Sequence, residues 1–77
     1  MPLIDLWRGI KFMMYFQDHN PPHFHVMYQG QKALFRIDNC ELLSGDIPPK
    51  ITKLVREWWI ANKERLLVEW ENFSNGA

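Results

Sequence analysis

The chain has 77 residues, 47% of them apolar, and its nine basic residues balance nine acidic ones. At that length it forms one domain over 1–77, whose core must be dense or shared with a partner, because so small a domain buries little apolar surface against its chain entropy. The cancelled charge leaves no global field to draw a polyanion, which disfavours nonspecific nucleic-acid binding, and no apolar run is long enough to span a bilayer.

The front of the chain is rich in strand signals. From Leu3 to about Ser44, short β-branched and aromatic runs alternate with turn residues, the pattern of an antiparallel meander of about four to five short strands. Leu3 to Trp7 is a weak first strand and Arg8-Gly9 a turn. Ile10 to Phe16 is a second strand with Ile10, Phe12, Met14 and Phe16 on one face and Lys11, Met13 and Tyr15 on the other. After Pro21-Pro22, His23 to Tyr28 forms a third strand that sets Phe24, Val26 and Tyr28 against His23, His25 and Met27. Gln29-Gly30 supplies a tight hairpin turn into Lys32 to Ile37. Asp38-Asn39 is another turn, and Glu41 to Leu43 a short last strand. Cys40 is the single cysteine; in a strand-like neighbourhood with no activating group beside it, it reads as a small buried hydrophobe.

Pro48-Pro49 suits the first turn of a helix, where backbone donors have no intrahelical acceptor. From Ile51, the apolar residues Leu54, Val55, Trp58, Trp59, Leu66, Leu67, Trp70 and Phe73 recur at three- and four-residue spacings, as a stripe facing a sheet does. The spacing predicts one long helix over about 48–72, with a break at Asn62-Lys63 as the lesser reading and 73–77 as a frayed tail. The fold class is therefore α+β: a small antiparallel meander followed by a long C-terminal helix packed on the sheet. Four tryptophans and five phenylalanines exceed what so short a chain easily hides. Trp59, Trp70 and Met27 are the expected interface residues. One helix leaves one sheet face open, and that face either lines a groove or is covered by another chain.

The run Asp18-His19-Asn20-Pro21-Pro22-His23-Phe24-His25 holds all three histidines of the chain and a carboxylate around a stiff corner. Residues two apart in a strand point the same way, so His23 and His25 project side by side at about 7 Å. With His19 folded back over them, the three histidines could hold a zinc-like divalent ion and leave a fourth position for water, with Asp18 orienting an imidazole or acting as a ligand. The same residues suit metal-free chemistry. One histidine takes a proton while another gives one, as RNA cleavage through the ribose hydroxyl requires, with Arg8, Lys11 or Lys32 holding phosphate and Tyr15 offering a hydroxyl or a stacking surface. A third reading is structural: Asp18 and Asn20 are turn formers, and the His-Pro-Pro-His corner serves only to connect two strands.

Several segments together resemble a known family. They are Met1-Pro2, Gly9-Ile10-Lys11, Met14-Tyr15-Phe16, the histidine run through Val26, Pro48-Pro49, Leu54-Val55-Arg56-Glu57-Trp58, and Glu64-Arg65-Leu66-Leu67 with Trp70. They look like the bacterial family described as domain of unknown function 4160, over nearly the whole chain. The resemblance implies a small prokaryotic protein with no established activity, commonly encoded beside another short protein in an arrangement that looks like a toxin–antitoxin pair. It carries over Asp18, His19, Asn20, Pro21, Pro22, His23 and His25 as a hallmark without a proven role. Trp59 and the Asn62-Lys63-Glu64 stretch depart from the pattern.

Together these readings lead to a cytoplasmic protein of a toxin–antitoxin-like module, since no basic segment and apolar run open the chain. Asp18, His19, His23 and His25 are the expected catalytic set, and Lys11, Tyr15 and Arg8 the expected substrate contacts. The expected partner is a small protein encoded nearby or a second copy, with RNA as a candidate substrate and no membrane. The alternative is a non-catalytic protein-binding module.

Overall fold

The computed structural model describes residues 3–15 and 21–74, with the side chains of Phe73 and Ser74 outside that description. Its elements follow in chain order: β1 (Leu3–Trp7), β2 (Ile10–Met13), β3 (His23–Tyr28), β4 (Gln31–Arg36), β5 (Leu42–Gly45) and α1 (Pro49–Ser74). The strands form one antiparallel sheet in the order β1-β2-β3-β4-β5, the expected α+β meander with its long C-terminal helix.

Local chemistry fixes the register. At the β3–β4 hairpin, Gln29 and Gly30 both have positive φ, 46° and 82°, the two-residue turn whose twist matches that of the strands it joins. It pairs Tyr28 with Gln31, and the remaining partners follow down to His23 opposite Arg36. Beyond β4 the chain departs from the alternation that the sequence predicts. The last strand is Leu42–Gly45 rather than 41–43, and a register shift falls between Leu34 and Phe35. Gly45 is the reason: at φ 84° it lies so close to β4 that a Cβ would stand 2.2 Å from the Lys32 carbonyl oxygen and 2.8 Å from the Ala33 Cα. Only glycine lets the two backbones approach in this way.

Two other expectations shift. The β2 ladder ends at Met13 rather than Phe16, and Phe16 itself lies outside the described residues. Cys40 is buried as expected, but just after the turn at 37–39 rather than in a strand, at φ 57°, with its amide donating to the Arg36 carbonyl at 3.0 Å.

The helix begins at Pro49, and the Pro48 carbonyl accepts the amides of Ile51 and Thr52 at 2.9 and 3.0 Å. It runs unbroken through Asn62-Lys63, where the Asn62 side chain donates to the Trp58 carbonyl one turn back, at 2.8 Å. Its inward stripe is Ile51, Val55, Trp58, Leu66 and Trp70, all buried. Leu67 does not belong to that stripe. It is 44% exposed, because with Leu66 turned inward its neighbour lies about 100° around the helix.

The core is aromatic. Trp58 stacks on Phe12 with ring centroids 3.8 Å apart and meets Phe24 at 5.9 Å, while Phe24 stacks on Phe35 at 5.8 Å. Trp58 Nε1 also donates to Asp5 Oδ2 at 2.9 Å, and Arg65 donates to the Ile4 carbonyl, so the helix is tied to the first strand by polar contacts as well as packing.

Candidate functional site

Which face the helix covers decides what the histidines can do. The covered face carries Ile10, Phe12, Phe24, Val26 and Phe35, all at or below 1% exposure. The opposite face is organised in rows by the strand register. Lys11, Met27 and Lys32 stand opposite one another in one row, and Met13, His25, Leu34 and Ser44 in the next. These rows form the floor of an open cleft of about 220 Å³, lined by Met13, Tyr15, His25, Met27, Lys32 and Leu34, with Ser44 and Gly45 at one side. The cleft is mainly apolar, with an imidazole, a phenol and an ammonium converging on it.

Tyr15 and His25 pair within it. Their rings meet edge to face, centroids 4.4 Å apart and planes at 87°, a geometry that favours an aromatic quadrupole. The Tyr15 hydroxyl points at the Met13 thioether, 3.9 Å away, and Met13 is buried although it lies on the face away from the helix. His25 is half-buried and stands in the cleft wall.

His23 has a different environment. Its ring lies 5.2 Å from that of His25, so the two histidines are neighbours as the pleat requires. It is also 5.3 Å from Trp70, and His23 is only 7% exposed. Its Nδ1 lies 2.8 Å from the Pro21 carbonyl oxygen. A carbonyl only accepts, so Nδ1 carries a proton and donates it to that bond. A backbone carbonyl on one ring nitrogen is also a common way of aiming the other at a metal or a proton.

Of the remaining expected site residues, Lys11 joins the same face, one row from His25. Arg8 does not. It sits in the β1–β2 turn with its guanidinium 4.9 Å from the Trp7 ring, beside a second depression walled by Asp5, Glu57, Trp58 and Asn62. Asp18 and His19 lie outside the described residues. Among the described residues, no group of three or more His, Cys, Asp or Glu side chains is placed to hold a metal ion. Of the expected interface residues, Met27 lines the cleft. Trp59 is half-buried with its indole N–H bonded to the Ile37 carbonyl, and Trp70 is 8% exposed within the core.

Two neighbouring groups have settled chemistry. The Arg36 guanidinium binds both carboxylate oxygens of Asp38, at 2.9 and 3.0 Å, which raises the pKa of the arginine and lowers that of the acid. Burial pushes the Cys40 thiol up to about 11, so it is protonated at neutral pH and no nucleophile. Sequence reasoning did not find Leu34, Ser44 and Gly45 in the cleft wall. Leu34 was available from the hairpin, since a two-residue turn at Gln29-Gly30 places it opposite His25; the other two depend on the Gly45 contact, which is tertiary.

The family model described as domain of unknown function 4160 matches residues 9–71. The chain belongs to that family. The match runs from the β1–β2 turn to just past Trp70, so it takes in β2 to β5 and most of α1, with β1 ahead of it. No curated protein and no solved structure matches the chain. Among the described residues, no helix is long and apolar enough to cross a membrane.

Proposed function

We propose that this member of the domain of unknown function 4160 family is the RNA-directed hydrolytic component of a toxin–antitoxin-like module, with His25 as the proton-transfer group at the open cleft. The reading rests on one observation: the Tyr15–His25 pair stands at a cleft with Lys32 in its wall, on the sheet face that the helix leaves uncovered. Antiparallel sheet faces bearing aromatic rings are well suited to single-stranded RNA, whose splayed bases stack on them. In the reaction, His25 removes the proton of a ribose 2′-hydroxyl as that oxygen attacks the adjacent phosphorus. The bond to the 5′-oxygen breaks, a second acid protonates the leaving oxygen, and a 2′,3′-cyclic phosphate remains. Lys32 and Lys11 supply positive charge for the phosphate, and His19, His23 and Asp18 are the candidate acid and its orienting groups. In a metal-assisted alternative, His19, His23 and His25 would hold a divalent zinc-like ion that would activate the attacking oxygen, and His25 would then serve as a ligand in place of the proton-transfer group.

The test is cleavage of a single-stranded RNA by the purified protein and by His25→Ala, with and without a chelator. Loss of about a hundredfold or more in rate with an unchanged circular dichroism spectrum is the expected result. RNA left intact by the wild-type protein, or cut equally by the variant, removes the hydrolytic reading. Chelator sensitivity selects the metal-assisted form.

His23 supports a second reading. Its burial under Trp70 and its bond to the Pro21 carbonyl are what a structural corner needs. In that reading the corner holds β3 in place and the open face docks a small protein without catalysis. Substitution at Met27 then weakens the complex while His25→Ala leaves it intact.

A further inference from the structure

Two cations of the open face stand in one row. Lys11, Met27 and Lys32 lie opposite one another across β2, β3 and β4, so both lysine side chains rise on the same side of the sheet with Met27 between them. Both lysines are exposed, and among the described residues neither forms an ion pair. That includes Asp46, whose amide donates to the Lys32 carbonyl at 3.0 Å. Two unneutralised ammonium groups held side by side are a place for an anion.

The next row, about 7 Å along the strands, is Met13, His25, Leu34 and Ser44. It is apolar on both sides of the imidazole and ends in a hydroxyl. The cleft over these rows holds about 220 Å³, less than the roughly 300–1,000 Å³ of a pocket for a drug-sized molecule. It therefore suits one ring and one anionic group. On the hydrolytic reading of the same cleft, on which this step rests, His25 must reach the 2′-oxygen of the attacking ribose. That oxygen neighbours the 3′-phosphate on the sugar, whereas the 5′-phosphate hangs from the opposite side of the ring. With the 2′-oxygen at His25, the phosphate one row away is the 3′-phosphate, and the base is left over half-buried Leu34 with its polar edge towards Ser44.

We infer that the cleft seats a single nucleoside 3′-phosphate, the nucleotide on the 5′ side of the cut, with its phosphate between Lys11 and Lys32, its base on Leu34 and the base edge against the Ser44 hydroxyl. The cleaved end keeps this phosphate and so competes with fresh RNA for the seat.

The test is calorimetric titration of the protein at low salt with uridine 3′-monophosphate, uridine 5′-monophosphate, uridine and inorganic phosphate, beside the RNA cleavage assay. The 3′-nucleotide is expected to bind one to one, about tenfold tighter than each of the others, and more weakly as salt rises. Lys11→Gln and Lys32→Gln each weaken it about fivefold, as loss of one exposed charge contact does. Leu34→Ala weakens the nucleotides but not inorganic phosphate, and Lys53→Gln, on the exposed side of α1, changes nothing. A 3′-nucleotide that does not bind, or binds no better than the 5′-nucleotide, overturns the inference, as does binding indifferent to Lys11 and Lys32. RNA cleavage without such binding removes the seat and keeps the hydrolytic reading. Binding with these dependences but without cleavage keeps the seat as a nucleotide site and removes the hydrolysis.

Discussion

Trp58 joins two parts of the molecule through one side chain: its ring stacks on Phe12 while its indole N–H is bound to Asp5. Trp58→Phe keeps most of the stacking and removes the donor, at an expected cost of about 1 kcal/mol, because half-buried Asp5 can recover part of the bond from water. Trp58→Ala opens the core and costs about 3–5 kcal/mol in urea unfolding. The bond to Trp58 is the main cause that holds the Asp5 carboxyl below its ordinary range, against a smaller opposing effect of burial, with help from the Leu6 amide and Arg65. A carboxyl lowered in the folded state contributes stability that is complete above its unfolded pKa and is lost as pH falls through the folded value. Stability should therefore fall below about pH 4, and Asp5→Asn should flatten that limb of the pH–stability curve. A variant with an unchanged acid limb would assign the loss to other carboxylates. The histidine pair marks where residue-level reading stops. The pleat places His23 and His25 alike, and their rings are indeed neighbours. That one is buried under Trp70 while the other faces a cleft follows from where a distant helix ends.

Among the elements, β5 is held by a contact rather than by its own side chains, all of which are exposed. Gly45→Ala drives a methyl group into the backbone of β4 at a positive φ. The expected loss is about 2–3 kcal/mol, read as a lower urea midpoint, together with a change in the cleft wall that Gly45 shares with Ser44. A substitution tolerated without loss would mean that β5 detaches freely from the sheet. The other elements were legible for plain reasons. Alternation marked β1 and β3 at their observed bounds, Gln29-Gly30 marked the hairpin, and Pro49 marked the helix start. The last strand was misplaced by a residue or two because a glycine chosen for close approach looks, in a sequence, like a glycine chosen for a turn. The Leu66-Leu67 pair was likewise ambiguous, since apolar spacing does not say which of two adjacent leucines faces inward.

For the molecule as a whole, the strand-rich front, the single helix and the open face opposite it could be read from periodicity, and the family match over 9–71 agrees with that extent. The side of the sheet taken by the helix could not, because both faces of β2 and β3 carry apolar residues. What selects it is the run of phenylalanines, one each on β2, β3 and β4, that Trp58 and its neighbours seal. Trp70 closes the end of this layer. Trp70→Ala should cost about 3–5 kcal/mol, comparable with the whole stability of a domain this small, and so abolish a cooperative thermal transition. An intact transition would show that the helix end is dispensable.

Strand order equal to chain order also sets a schedule. The five described strands are all synthesised before the residues that cover them, because the helix that shields Phe12, Phe24 and Phe35 follows β5 in the chain. On the ribosome the sheet therefore carries a bare aromatic face beside two open strand edges, a combination prone to aggregation. The interval ends only when Trp58, Leu66 and Trp70 have emerged. For this chain, a pause in translation between β5 and the end of α1 is more hazardous than one within the strands.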